Sequence, residues 1–241
     1  MTLWRYMDDW QFEWFVKYGR LYMPSADQLG DPLEGTTPQG ELDWWRRKAE
    51  NADSTEQRRI IENNRKLLSG FAKKFRRNYY VSCWSGNQFE SHAMWKSYTR
   101  KIEAVAIQTT YATLRECLPS FCLMGMVRYI DYANERLPTM NMYEYIMHKD
   151  IFYQSENEIR AVAWELTMEA IGGAAAGDRF VSEKSPEIRV YAPPVDIALL
   201  IHGVVMHPET PPRFEAVVRK LCAEKGLPEP LPSRSARTPF F

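Results

Sequence analysis

An α+β domain, built on a mixed, largely antiparallel split sheet of about eight strands with helices packed around it, is the fold class this sequence predicts. Short alternating apolar segments recur along the whole chain, and capped amphipathic segments are interspersed among them. No GxGxxG follows a predicted strand, which argues against a doubly wound dinucleotide fold.

The chain of 241 residues, 45% hydrophobic and 26% charged, is long enough to bury a substantial core. Residues 1–227 are expected to form a single domain and 228–241, rich in Pro, Ser and Arg, a flexible tail. A formal charge of zero argues against a protein built as a whole to coat nucleic acid or an anionic membrane. The four cysteines show neither metal nor disulfide-framework spacing, and no leader or membrane-length apolar run is seen, so a cytoplasmic protein with free thiols is expected. Eight Trp, thirteen Tyr and eleven Phe supply core area, and also flat faces on which a base can stack.

Leu3–Met7 alternates and predicts a first strand. Asp8 and Gln11 make a capping box, and Phe12, Phe15 and Val16 follow at helical spacing until Gly19. Arg20–Met23 predicts a second strand. Ser25–Gly35 carries turn formers and the acids Asp27, Asp31 and Glu34, a composition that a solvated connection shares. From Thr55 to Arg77 a long helix is expected, with Ile60, Ile61, Leu67, Leu68, Phe71 and Phe75 on one side. Its other side carries Arg58, Arg59, Arg65, Lys66, Lys73, Lys74, Arg76 and Arg77. That face suits phosphates, nucleic acid or an acidic protein, and an ordinary solvated helix surface shows the same pattern.

The central unit reads as strand Tyr79–Trp84, a polar turn at Ser85-Gly86-Asn87, helix Phe89–Tyr98 and strand Glu103–Thr109. Aromatics are interleaved there with Ser82, Ser85, Asn87, Gln88, Glu90 and His92, as in a ligand site or a tryptophan-rich core. Beyond it a short helix is expected over Thr110–Leu118, a strand over Met126–Asp131 and a helix over Met140–Tyr153. A strand over Gln154–Trp164 would put Glu156, Glu158 and Arg160 on one face and Ile159, Ala161 and Ala163 on the other. An exposed edge strand would explain those charges equally well. Ala170–Asp178 reads as a small-residue loop without the Lys-Ser or Lys-Thr of a phosphate loop. Strands Ile188–Tyr191 and Leu199–Met206 and a helix between Thr210 and Gly226 complete the series.

No pair of histidines sits at metal spacing, so no metal site is expected, and Ser82 and Ser85 lack a G-x-S-x-G elbow. The remaining polar set suits a nucleotide held without metal. Arg5 can fork onto a pyrophosphate, Ser82 and Ser85 can meet ribose hydroxyls, and Glu156 or Glu158 can face the ribose. A carboxylate so placed stabilises positive charge developing at an anomeric carbon.

The strings LWRY, GRLYMPSADQLGDPLEG, YVSCWS with ESHAMWKSY, and SENEIRAV resemble, from Leu3 to about Leu227, the bacterial and phage-associated family labelled domain of unknown function 2971. A more remote resemblance is to the ADP-ribosyltransferase fold, where an Arg or His, a Ser-rich strand and a later Glu surround NAD. Arg5, Ser82-Cys83-Trp84-Ser85 and Glu156-Asn157-Glu158 occur in that order, although the serine element is not Ser-Thr-Ser and Arg160 is close enough to neutralise Glu158. The resemblance implies an ADP-ribosyltransferase-like enzyme or NAD glycohydrolase, a toxin or phage-defence effector that takes NAD as substrate. It makes Glu158 the catalytic carboxylate, or Glu156 in its place. It sets Arg5 on phosphate, Ser82 and Ser85 on ribose, and Tyr6, Trp84 or Tyr98 on nicotinamide. The alternative is a non-enzymatic module that binds nucleic acid or an acidic protein through the basic 58–77 helix.

Overall fold

Strand β1 (Thr2–Asp8) buries both of its faces, Leu3 and Met7 on one and Trp4 and Tyr6 on the other, which places it inside a sheet. The computed structural model describes residues 1–139, 141–165, 179–181 and 189–234. After β1 come α1 (Asp9–Tyr18), β2 (Met23–Pro24), α2 (Gln39–Glu50), α3 (Thr55–Phe75), β3 (Tyr79–Ser85), α4 (His92–Tyr98) and β4 (Ala104–Thr110). Next are α5 (Tyr111–Cys117), β5 (Leu123–Met126), β6 (Arg128–Ile130), α6 (Glu144–Met147), β7 (His148–Asp150) and β8 (Glu158–Trp164). The chain continues through β9 (Arg179–Val181), β10 (Arg189–Tyr191), α7 (Ile197–Leu200), β11 (Gly203–Met206), α8 (Pro212–Glu224) and β12 (Leu231–Pro232).

The protein is α+β, with one seven-stranded sheet in the order β12-β11-β4-β1-β3-β8-β5, antiparallel except where β12 runs parallel to β11. Two smaller sheets, β2-β10-β9 and the parallel pair β6-β7, flank it. One face of the large sheet carries the main core, including Leu3, Met7, Tyr80, Trp84, Ile107, Ile159 and Val204. The opposite face carries a cluster around Trp4, Tyr6 and Trp95 and another around Tyr79, Val81 and Val162. Among the described residues no helix is long and apolar enough to cross a membrane.

Local chemistry accounts for several boundaries. The Asp8 N–H donates to Gln11 Oε1 at 3.0 Å, and α1 ends at Gly19 with φ 58°, a left-handed backbone that glycine adopts without steric cost. Thr110 Oγ1 accepts from the Thr113 N–H to start α5. Gly40 is needed for contact: a Cβ there would lie 2.4 Å from the Glu135 carbonyl oxygen. Gly40→Ala is therefore expected to lower Tm by several degrees, about 1–3 kcal/mol, in a thermal melt.

Several sequence expectations need revision. Arg20–Met23 contributes only an isolated Arg20 bridge to Pro194 and the two-residue β2. The helix expected over Met140–Tyr153 is limited to α6, because His148–Asp150 is drawn into parallel pairing with Arg128–Ile130. Leu199 belongs to α7, and β11 starts only at Gly203. Glu156 does not lie on β8 but ends a 3₁₀ turn over Ile151–Glu156, followed by Asn157 at φ 45°. Nor is β8 an edge strand, since β3 and β5 pair with its two sides. On α3 the expected apolar side is split: Ile61 is buried against Trp45 and Ala49 of α2, while Ile60, Leu67 and Phe71 are exposed. The tail is docked as far as Arg234, with Leu231 and Pro232 paired to Val205 and Met206. The loop expected over Ala170–Asp178 lies outside the described residues.

Candidate functional site

Backbone pairing locates the site. β1 pairs with β4 at seven positions, from Thr2↔Thr110 to Asp8↔Ala104, and β3 pairs with β8 at seven, from Tyr79↔Trp164 to Ser85↔Glu158. Between β1 and β3 the pairing is confined to Trp4↔Ser85. The sheet is thus two half-sheets joined at one rung, and they part towards Tyr6 and Cys83. A cavity of about 180 Å³ lies at this parting, lined by residues that include Arg5, Tyr6, Tyr22, Cys83, Ser85 and Tyr98.

Arg5 points into the parting from the main-core face. Its Nη1 donates to Ser82 Oγ at 2.7 Å and its Nη2 to the Tyr22 carbonyl at 2.7 Å, and its Cζ lies 5.7 Å from the centre of the Trp84 ring. Two of the five guanidinium N–H groups are used, and the other three bond to no described residue. Among the described residues no carboxylate pairs with it. Enclosure disfavours its charge and pulls it down to about 10. A cation enclosed without a counter-ion is costly to keep charged.

Ser82 was expected to meet ribose, but it is fully buried and does not line the cavity. Its Oγ accepts from both Arg5 and, at 2.9 Å, the Trp84 indole N–H, so its work is to aim the arginine. Ser85 does line the cavity, with Oγ donating to the Glu156 carbonyl at 3.1 Å and accepting from Asn87 at 2.8 Å. Tyr6, Trp84 and Tyr98 all line it. The Tyr6 ring meets Trp95 edge-on at 4.8 Å and lies 6.5 Å from Tyr98, and its hydroxyl accepts from the Ser91 N–H.

The two glutamates lie behind the wall formed by Cys83 and Tyr98. By strand alternation Glu158 and Arg160 share a face with Ser85 and Cys83, opposite to the face that carries Arg5 and Ser82. Arg5 and Ser82 therefore meet on one face, and of the two only Arg5 reaches the cavity; Glu158 is not part of its lining. Both Glu158 oxygens are taken: Arg160 Nε and Nη2 donate to them at 2.8 and 2.9 Å, and Lys149 Nζ approaches at 3.4 Å. Glu34, from the Ser25–Gly35 loop, pairs with Arg160 from the other side, and the Ile146 carbonyl accepts from Arg160 Nη1 at 2.6 Å. Glu156 differs in one respect. Its Oε2 accepts from Lys149 at 2.6 Å and from the Tyr98 hydroxyl at 2.8 Å, but no described residue donates to Oε1.

No family model, curated protein or solved structure matches this chain.

In this buried group three carboxylates (Glu34, Glu156, Glu158) face two cations (Lys149, Arg160). Burial raises Glu34 and Arg160 only partly offsets this, whereas for Glu158 the same burial is overcome by Arg160 and Lys149, which hold it down to about 2. The linkage signs are opposite. Ionised Glu34 weakens the fold, and stability returns as pH falls through its raised value. Glu158 contributes stability that is fully present above the ordinary 4.5 and is lost as pH falls towards 2. Tm is expected to rise from neutral to mildly acidic pH and then to collapse below about 4. Glu34→Gln should abolish the rise and keep the collapse; a rise of the same size in the variant would show that another group is responsible.

Sequence reasoning missed Lys149 and Glu34, the partners that decide what the glutamates can do. Lys149 was hidden in a segment expected to be helical. For Glu34 the available signal was three acids in a loop tightened by Pro32, where such a charge must find solvent or a partner.

Proposed function

We propose that the protein binds a nucleotide, NAD, at the parting of β1 and β3 and acts as an NAD glycohydrolase or ADP-ribosyltransferase. The observation that carries this reading is Arg5, a cation without a carboxylate, aimed by Ser82 into a cavity with aromatic walls. Its remaining N–H groups suit a pyrophosphate, and Tyr6, Trp84 and Tyr98 offer ring surface to nicotinamide. In the reaction the bond between ribose and nicotinamide breaks, its electron pair leaves with the neutral base, and water or an acceptor nucleophile closes the anomeric carbon. Of the two carboxylates, Glu156 suits the developing positive charge better. Lys149 pairs with its Oε2, yet its Oε1 keeps no donor among the described residues and it stands directly behind Tyr98, through which its charge would act, while Arg160 holds both oxygens of Glu158.

The test is nicotinamide release from NAD. Glu156→Gln is expected to lower the rate by about 10²–10³ with NAD affinity little changed. Equal rates for wild type and variant, or no release by the wild type, would retire the reading. A role as a toxin or phage-defence effector would follow from NAD consumption, and predicts a fall in cellular NAD on expression.

A second reading is favoured by the exposure of Lys66, Lys73 and Lys74 along α3. The rest of the basic face is mostly engaged: Arg58 donates to the Ala49 carbonyl, Arg59 pairs with Glu56, Arg76 donates to the Asp31 carbonyl and Arg77 pairs with Asp27. Binding of nucleic acid or an acidic protein there should be salt-dependent and should weaken when the three lysines become Ser. Binding indifferent to salt would exclude it.

A further inference from the structure

Helix α3 turns one apolar stripe, with Ile61 and Leu68, to α2, and shows a second one to solvent. In that second stripe Ile60 is 50% exposed, Leu67 55% and Phe71 44%. Asn64 and Lys74, exposed as well, complete the line, so that Ile60, Asn64, Leu67, Phe71 and Lys74 follow at intervals of four, three, four and three. That is the heptad interval of a coiled-coil seam, in which a single Asn or Lys sets the register. Gly70 stands beside the seam, and a Cβ there would meet no atom within 4 Å, so another backbone can come close.

Charge and shape together narrow the occupant. From Asn63 to Arg77 the chain carries six cations and no acid, and Lys66, Lys73 and Lys74 are exposed. The charge complementary to this stretch is negative. A lipid surface takes a broad apolar face, and this seam is only about two positions in seven wide. Nucleic acid would meet the cations and leave Leu67 and Phe71 uncovered. A second copy fits poorly: in parallel it opposes cation to cation, and antiparallel about Leu67 it sets Lys74 on Ile60 and Phe71 on Asn64. An acidic helix with its own heptad seam covers the apolar line and answers the charge in one contact.

We propose that α3 docks an acidic amphipathic helix of a protein partner along Ile60, Asn64, Leu67, Phe71 and Lys74. This rests on the reading of α3 as a surface for an acidic protein, and gives that partner a conformation and a register. It is independent of NAD.

The probe is a synthetic helical peptide as long as α3, with Leu at its a and d positions, one Asn at an a position and Glu beside them. Titrated into the full chain by calorimetry, it is expected to bind saturably, one to one, and more weakly as salt rises. The double variant Leu67→Gln with Phe71→Gln, both on the surface, should weaken binding about a hundredfold or more with Tm little changed. No binding by wild type, or binding kept by the double variant, would overturn the proposal. Equal binding of the same peptide with Lys in place of Glu would overturn it too. So would attachment to phosphatidylserine vesicles without peptide binding, or a dimer of the chain that the double variant abolishes. Polyglutamate, an acidic chain without a seam, separates the two readings of α3. Salt-dependent binding of polyglutamate without binding of the helical peptide would strike the docked helix and leave the charged surface standing.

Discussion

Arg160→Met is expected to destabilise the protein by about 3–5 kcal/mol at neutral pH, the largest stability effect among these changes. The methionine replaces the stem of the arginine, so the loss is electrostatic. Glu158 and Glu34 would remain buried with the guanidinium between them gone, leaving only Lys149 at 3.4 Å from Glu158. Both carboxylates then rise, and the variant should regain stability as pH falls from 8 to 5 while the stabilisation of wild type by Glu158 is still intact. Urea titrations at the two pH values measure it. A loss below about 1 kcal/mol, or one independent of pH, would mean that the carboxylates are already neutral. The double variant with Glu34→Gln should recover part of the loss, because one of the stranded charges is removed with its cation.

On the proposed nucleotide site, NAD or inorganic pyrophosphate is expected to raise the Tm of wild type, and Arg5→Gln is expected to abolish that rise and to weaken binding by about a hundredfold or more. Charge-assisted hydrogen bonds are worth about 1.5–3 kcal/mol each, and the three unclaimed N–H groups permit two to one phosphate pair. The unliganded variant should lose little stability, because the lost bonds to Ser82 and Tyr22 are offset by relief from enclosing an uncompensated cation. Differential scanning fluorimetry with and without ligand separates these effects. A ligand-induced shift of equal size in the variant would remove Arg5 from the site.

The central strands were legible because alternation over five to seven residues is a local signal. Leu3–Met7 and Tyr79–Trp84 were read as strands, and Ile159, Ala161 and Ala163 lie on the face opposite Glu158 and Arg160 as their alternation implied. The capping pair at Asp8 and Gln11 and the stop at Gly19 were local too. What failed was set by partners distant in the chain. His148–Asp150 has helical surroundings and becomes a strand because Arg128–Ile130 lies beside it. α2 carries Trp44 and Trp45 next to charged residues and becomes interpretable only once Ile61 of α3 packs against it.

In the candidate site the same division holds. Arg5 and Ser82, separated by 77 positions, were grouped by residue type and meet at 2.7 Å. The alternation that identified Glu158 also sends it to the opposite face from Arg5, which the sequence contained but which convergence on one cleft ignored. Lys149 was not foreseeable as a partner, and for Glu34 the loop acids signalled a need for a partner without saying which, since burial of an ion pair is a tertiary property.

With β1 lying between β3 and β4, the order of synthesis has a consequence. The strand ends at Asp8, while β3 begins at Tyr79 and β4 at Ala104. At roughly 5–20 residues per second the nascent strand waits several seconds on the ribosome before either neighbour exists. Through that interval its Leu3, Trp4, Tyr6 and Met7 side chains and both hydrogen-bonding edges are uncovered, an invitation to wrong pairing. A translating ribosome should therefore recruit chaperones early on this message, and yield should suffer more from slowed codons before residue 104 than after it.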